Sequence, residues 1–362
     1  METQLYQKRA KQVVQCTCCA RRCLIAPNKT GFCGVRQNRG GKLYLTVFGK
    51  PVGLQVDPIE KKPLFHFLPG SQVLSFGTFG CNLACKFCQN FELSQCPKEQ
   101  SSAKFAQTLA SLATWSPEKI VQYCKCAKIP TIAFTYNEPT IFAEYFLPIA
   151  RLAQQAKIKT VLVSNGFFSA ECFALFRNVI DAINLDLKGF TAEFYREICG
   201  LKLSPTVQPD CTNLPIKYQN LGELSCILSN IAKCQQAGIW TEVTTLIIPG
   251  YNDQGATLRN CAEFLAWLSP AIPWHLSAFY PAYQMLQTPR TPAATLYQAA
   301  EIGRAAGLEF VFTGNILKGA ENTLCPQCQI NLIERQNFTV LANNLVNGHC
   351  PNCRQKIAGV WA

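Results

Sequence analysis

Cys81, Cys85 and Cys88 fall within one stretch, Phe79-Gly80-Cys81-Asn82-Leu83-Ala84-Cys85-Lys86-Phe87-Cys88-Gln89-Asn90. Thiolates so closely spaced bind metal, and both a structural zinc and a 4Fe-4S cluster normally take four of them. Three from one loop leave a coordination position open, which is how a metal site binds substrate as well as holding structure together. The competing reading is that a distant cysteine closes the site, because ten of the 21 cysteines lie outside any spaced group.

Two other groups are complete in themselves. Cys325-Pro326-Gln327-Cys328 and Cys350-Pro351-Asn352-Cys353 are two Cys-x-x-Cys knuckles separated by 21 residues, a spacing that supplies four tetrahedral thiolates for a zinc ribbon. A rubredoxin-like iron or an iron–sulfur site is the alternative. Near the other end, Cys16, Cys19, Cys23 and Cys33 also offer four thiols, for zinc or an auxiliary cluster, and Cys18 leaves the ligand set open.

So many thiols in clustered spacing indicate metal or redox chemistry in a reducing compartment, not disulfides. Lys8, Arg9 and Lys11 occupy the place of a signal-peptide apolar region, and no run of eighteen apolar residues occurs, so a cytoplasmic protein without membrane association is expected. With 48% hydrophobic and 15% charged residues over 362 positions, the chain has enough apolar mass for a large core. The scattered cysteines, such as Cys124, Cys172, Cys226 and Cys261, are expected to be small core residues. The net charge of +12 is concentrated at the start, where residues 1 to 62 hold twelve Lys or Arg against Glu2, Asp57 and Glu60. Such a basic end either faces nucleic acid or an acidic partner, or is a solvated face.

The elements that must position these residues alternate strand and helix. Apolar runs predict strands at 73–78, 131–136, 160–164, 182–187, 241–248, 275–279 and 309–313, with helices between them such as Ser116 to Ala127 and Ile141 to Ala156. This pattern is α/β and predicts a parallel sheet in a partial (β/α)6 TIM-type barrel. Its strand ends are polar: Gly80-Cys81, Asn137-Glu138-Pro139, Ser164-Asn165-Gly166, Asp186-Leu187-Lys188 and Pro249-Gly250-Tyr251-Asn252. Carboxyl ends of barrel strands are where such folds place their chemistry. The expected organisation is a basic cysteine-rich extension over 1–65, the barrel over 66–318 and a zinc-ribbon-like module over 319–362. Asn137, Asn165 and Gly166 also suit plain turns, and Asp186 with Lys188 a plain ion pair. His66, His275 and His349 are expected to be structural.

Cys81-x-x-x-Cys85-x-Phe87-Cys88, directly after a strand, resembles the cluster motif of the radical S-adenosylmethionine (radical SAM) enzymes. Asp57-Pro58-Ile59-Glu60-Lys61-Lys62-Pro63-Leu64-Phe65-His66, Gly80-Cys81-Asn82, Cys88-Gln89-Asn90 and Thr135-Tyr136-Asn137-Glu138-Pro139 resemble one branch of it, the AmmeMemoRadiSam system radical SAM enzymes. That branch is similar to pyruvate formate-lyase activating enzymes, and the resemblance spans almost the whole chain. It implies that Cys81, Cys85 and Cys88 bind three irons of a 4Fe-4S cluster while the fourth iron chelates S-adenosylmethionine. Reductive cleavage then gives a 5′-deoxyadenosyl radical that abstracts hydrogen from a substrate.

The resemblance further implies that Phe87 lies near the adenine. Asn137, Glu138 and Pro139 stand in the motif that holds the methionine amino group, with Tyr136-Asn137 replacing two glycines. Ser164, Asn165, Asp186 and Lys188 resemble residues that touch the cofactor, Lys188 pairing its carboxylate. Val163 stands where activating enzymes tend to carry an acid. A macromolecular substrate is implied, protein favoured over RNA, together with an electron donor such as flavodoxin or ferredoxin. A reading of another class is a non-catalytic iron–sulfur carrier or scaffold.

Overall fold

The computed structural model describes residues 1–204, 210–317 and 319–361, so the expected module boundary at 318/319 touches a residue outside the description. Eight strands form one sheet in sequential order: β1 Val52–Pro58, β2 Gln72–Gly77, β3 Thr131–Phe134, β4 Lys159–Ser164, β5 Ala182–Asp186, β6 Trp240–Ile247, β7 Trp274–Ala278 and β8 Val311–Gly314. Strands β2 to β8 pair parallel and β1 pairs antiparallel to β2. Between the parallel strands run α1 Pro117–Ala127, α2 Ala143–Gln155, α3 Ala170–Phe176, α4 Glu223–Gln236, α5 Gly255–Leu268 and α6 Ala293–Ala305. A parallel sheet whose strands follow in sequence order, each joined to the next by a helix, keeps those helices on one face and curls. The result is the expected partial barrel of six strand–helix units, finished by β8. Strand β1 lies within the segment assigned to the extension, so the sheet begins before residue 66, because Val52–Pro58 covers the otherwise bare edge of β2.

Local chemistry fixes these elements. All four residues of β3 and four of the five in β5 are buried, as a strand covered on both faces requires. Helix α1 starts with the Ser116 side chain accepting from Lys119 N, Pro117 in the first turn and Glu118 beside it. Helix α2 is entered through a 3-10 turn, Pro139–Phe142, whose cap is Glu138.

The amino end of the barrel is plugged. Glu242 on β6 is fully buried and accepts from Phe65 N at 2.9 Å, His66 N at 2.8 Å, Trp240 Nε1 at 2.9 Å and His275 Nε2 at 2.6 Å. His66 in turn bonds Ala358 O at 2.8 Å and Thr323 Oγ1 at 3.1 Å, so it and His275 are structural. Burial pushes His66 down to about 4, which keeps it neutral at physiological pH. The carboxy-terminal module, an antiparallel sheet of Thr323–Leu324, Asn331–Gln336 and Thr339–Asn343, shares an apolar core with Phe65, Phe310 and Phe312. Arg335 anchors it by donating to Phe65 O at 2.6 Å. Among the described residues no helix is long and apolar enough to cross a membrane.

Candidate functional site

The loop carrying Cys81, Cys85 and Cys88 leaves the carboxyl end of β2. Asn137, after β3, clamps its start: Nδ2 donates to Gly80 O at 2.7 Å and Oδ1 accepts from Thr78 N at 3.3 Å. Tyr136, beside it, has φ +69°, a left-handed conformation that suits glycine and costs a tyrosine about 1–2 kcal/mol. The substitution at this turn is therefore accommodated by the same backbone shape, with Asn90 Nδ2 donating to Tyr136 O at 2.9 Å.

Glu138 points inward, 1% exposed. Its Oε1 accepts from Thr140 N at 3.1 Å, Thr140 Oγ1 at 2.7 Å and Ser164 Oγ at 2.9 Å, and its Oε2 from Asn165 N at 2.8 Å. Burial raises its pKa while these donors pull the other way. Pro139 is buried at the head of the 3-10 turn. The carboxylate thus joins the end of β3 to the end of β4, and Asn165 carries the link onward. Its Nδ2 donates to Asn82 Oδ1 at 2.8 Å and lies 4.0 Å from the Cys81 sulfur.

On the other side of the loop, Lys188 Nζ pairs with Asp186 Oδ2 at 2.8 Å and lies 5.7 Å from the centre of the Phe87 ring. Burial works against its charge, but Asp186 and the thiols of Cys85 and Cys199 outweigh burial and raise its pKa, so Lys188 is an ammonium. Buried Asn252 pins its backbone by donating to Lys188 O at 2.7 Å. Three thiols, an ammonium, an aromatic ring and polar strand ends from β2 to β6 therefore meet at one rim, a donor set that fits a cluster with a chelated zwitterion beside it. Burial pushes the Cys81 thiol up to about 12, with Lys98 opposing.

Sequence spacing gave no warning of Cys199. It is fully buried, hydrogen-bonds the Cys85 thiol, and its carbonyl accepts from Ala84 N at 2.9 Å. The one available signal was Cys199-Gly200, which repeats the Cys33-Gly34 pairing. Cys199 is thus the residue best placed to supply a fourth thiolate. We expect Cys199→Ala to retain S-adenosylmethionine cleavage within about threefold, since an open iron needs no fourth thiol. Loss of cleavage together with loss of iron would make Cys199 a ligand.

The carboxy-terminal thiols Cys325, Cys328, Cys350 and Cys353 lie with all four sulfurs within 4.8 Å of one another, 3.5 Å between Cys325 and Cys353 and 3.6 Å between Cys328 and Cys350. That set can hold a metal ion. Cys16, Cys19, Cys23 and Cys33 line one small cavity beside the rim. Of the scattered cysteines, Cys124, Cys172, Cys226 and Cys261 are buried in the apolar core, as expected.

Residues 76–261 match the profile of the Radical SAM superfamily, which is just over half the chain. The chain is also 35% identical over 360 residues to "Uncharacterized protein MJ0808" of Methanocaldococcus jannaschii, covering 98% of each. This protein belongs to the radical SAM superfamily and is an enzyme; the family's cofactors are a 4Fe-4S cluster and S-adenosylmethionine. Among solved structures it resembles a domain of a pyruvate-formate lyase-activating enzyme from Bacteroides vulgatus, at 21% identity and a TM-score of 0.38 over 51% of this chain and 98% of that one. It also resembles SuiB of Streptococcus suis bound to precursor peptide SuiA, at 14% identity and a TM-score of 0.47 over 71% of this chain and 51% of that one.

Proposed function

We propose that this radical SAM enzyme acts on a macromolecule, a protein in preference to RNA, with Cys81, Cys85 and Cys88 as the cluster ligands. When bound, the cluster and S-adenosylmethionine supply a hydrogen-abstracting radical. The chain's own residues do the positioning. Lys188, held by Asp186, offers a cation for the methionine carboxylate, Phe87 offers a face for the adenine, and Asn165 fixes Asn82 beside Cys81. Zinc is the proposed ion of the carboxy-terminal cysteines, and a flavodoxin or ferredoxin the proposed electron donor.

The observation that carries the substrate reading is how the amino-terminal cations are used. Of the twelve in residues 1–62, Arg22 pairs with Glu171, Arg36 with Glu144, Lys42 with Glu2, and Lys61 and Lys62 with Asp57. Arg21 and Lys50 donate to backbone carbonyls, which leaves their charge in place. Five of the twelve thus have a carboxylate partner, which takes that part of the basic charge out of a phosphate-binding stripe. A cavity of about 300 Å³ lined by Gln89, Thr244, His275, Ser277 and Asn315 has room for one residue of a larger chain.

Reconstituted anaerobically, reduced and given S-adenosylmethionine, the protein should form 5′-deoxyadenosine; none forming with an intact cluster overturns the proposal. Its affinity for total cellular RNA should change less than about tenfold between 50 and 200 mM salt, where six to ten phosphate contacts would give about 10³- to 10⁵-fold. A steep fall would favour RNA as the substrate.

A further inference from the structure

We propose that Cys16, Cys19, Cys23 and Cys33 ligate a second iron–sulfur cluster, closed by four protein thiolates and built against the loop of the first. Only its position beside the first cluster rests on the radical SAM reading. The four cysteines border one cavity together with Arg21 and Arg36. Cys18 borders it too, but its thiol donates to Thr140 O at 2.7 Å and hydrogen-bonds Cys172. The ligand set that spacing leaves open is thereby reduced to four.

Sulfur spacing separates cluster from zinc. Tetrahedral zinc with bonds of about 2.3 Å holds its sulfurs about 3.8 Å apart. The carboxy-terminal cysteines match that spacing. Among the described residues they are also the only group of three or more whose ligand atoms all lie within 4.8 Å. Among the described residues no three of the amino-terminal sulfurs form such a compact group. An iron–sulfur core places several irons and sulfides between its thiolates and needs them farther apart than a single ion does. Assembly exchanges four thiol protons, released to solvent, for four sulfur–iron bonds, leaving an anionic centre that the guanidinium of Arg21, which among the described residues pairs with backbone carbonyls and no carboxylate, offsets.

The cage is seated on the first cluster's loop. Gly80, immediately before Cys81, has φ +91°, and a Cβ there would fall 2.4 Å from Cys33 O. No other residue allows this approach. Arg21 donates to Asn82 O at 3.0 Å and Gly200 O at 2.7 Å. The Phe32 ring lies between Arg21, 3.7 Å from its centre, and Lys98, 4.3 Å away, and Lys98 Nζ donates to Leu83 O at 2.7 Å. Residues adjoining Cys23 and Cys33 thus hold the backbone between Cys81 and Cys85.

The test is the iron and acid-labile sulfide bound by the full chain after anaerobic reconstitution with iron and sulfide. A Cys81→Ala/Cys85→Ala/Cys88→Ala variant should keep iron and sulfide in equal amounts while cleaving no S-adenosylmethionine. Adding Cys16→Ala and Cys23→Ala should remove both. If the triple variant binds no sulfide, the proposal fails, whatever the activity of the unaltered enzyme. Sulfide retained there, with an unaltered enzyme that cannot cleave S-adenosylmethionine, sinks the radical SAM assignment and leaves this one standing. Should the variants not fold, the unaltered chain decides: iron and sulfide clearly above the four of a single cluster support the second site, and about four of each overturn it.

Discussion

Alanine in place of Cys81, Cys85 or Cys88 should each reduce 5′-deoxyadenosine formation about 10³-fold or more, to the background without enzyme. The size of the effect follows from the ligand role proposed for the three thiols. They sit on a single loop, and every other rim group is arranged around them: Asn165 through Asn82 on one side, Lys188 with Asp186 and Phe87 on the other. Removing one thiolate from a three-thiolate site leaves two irons without protein ligands, and the cluster is lost as a unit. Cys325, Cys328, Cys350 and Cys353 belong to a separate core at the opposite end of the barrel, so their metal content and the far-UV circular dichroism should be unchanged. Anaerobic assay beside iron, sulfide and zinc analysis checks both halves. A single-alanine variant that kept full iron and activity would show that another cysteine, Cys199 being the nearest to Cys85, completes the site.

The barrel could be read in the sequence because its parallel strands are continuous apolar runs ending in polar turns. Each of the seven predicted strands overlaps a strand from β2 to β8, and the ends named for them meet at one rim. The loop of Cys81, Cys85 and Cys88 and the carboxy-terminal knuckles stand out for another reason: their thiols recur at short spacings, so spacing alone marks them. What spacing cannot carry is contact between distant segments. Cys199 reaches Cys85 across more than a hundred residues, and Phe32 sits between Arg21 and Lys98. The amino-terminal positive charge misleads for the same reason. Net charge counts Arg22 and Arg36 as free, whereas their partners Glu171 and Glu144 lie on α3 and α2. The antiparallel strand β1 also escaped, because its residues alternate weakly between exposed and half-buried and it covers only an edge.

Glu138 shows where the family motif and the geometry give different roles to one residue, and they can be separated. By resemblance it belongs to the motif that holds the methionine amino group; in the structure both its oxygens are engaged by protein donors. Glu138→Ala leaves two buried backbone N–H groups, those of Thr140 and Asn165, without acceptors, at a cost of about 2–4 kcal/mol. The melting temperature should fall by roughly 5 °C or more. Glu138→Gln keeps the oxygen that serves Thr140 and Ser164 and disturbs only the bond to Asn165 N, so its loss should be about half as large. In both variants the link to Asn82 loosens, and cluster occupancy and cleavage rate should decline together while the KM for S-adenosylmethionine stays within about twofold. A residue that gripped the cofactor would behave differently: both variants would raise KM tenfold or more at an unchanged melting temperature. Thermal melts and initial rates on the same preparations distinguish a carboxylate that positions the cluster loop from one that touches the cofactor.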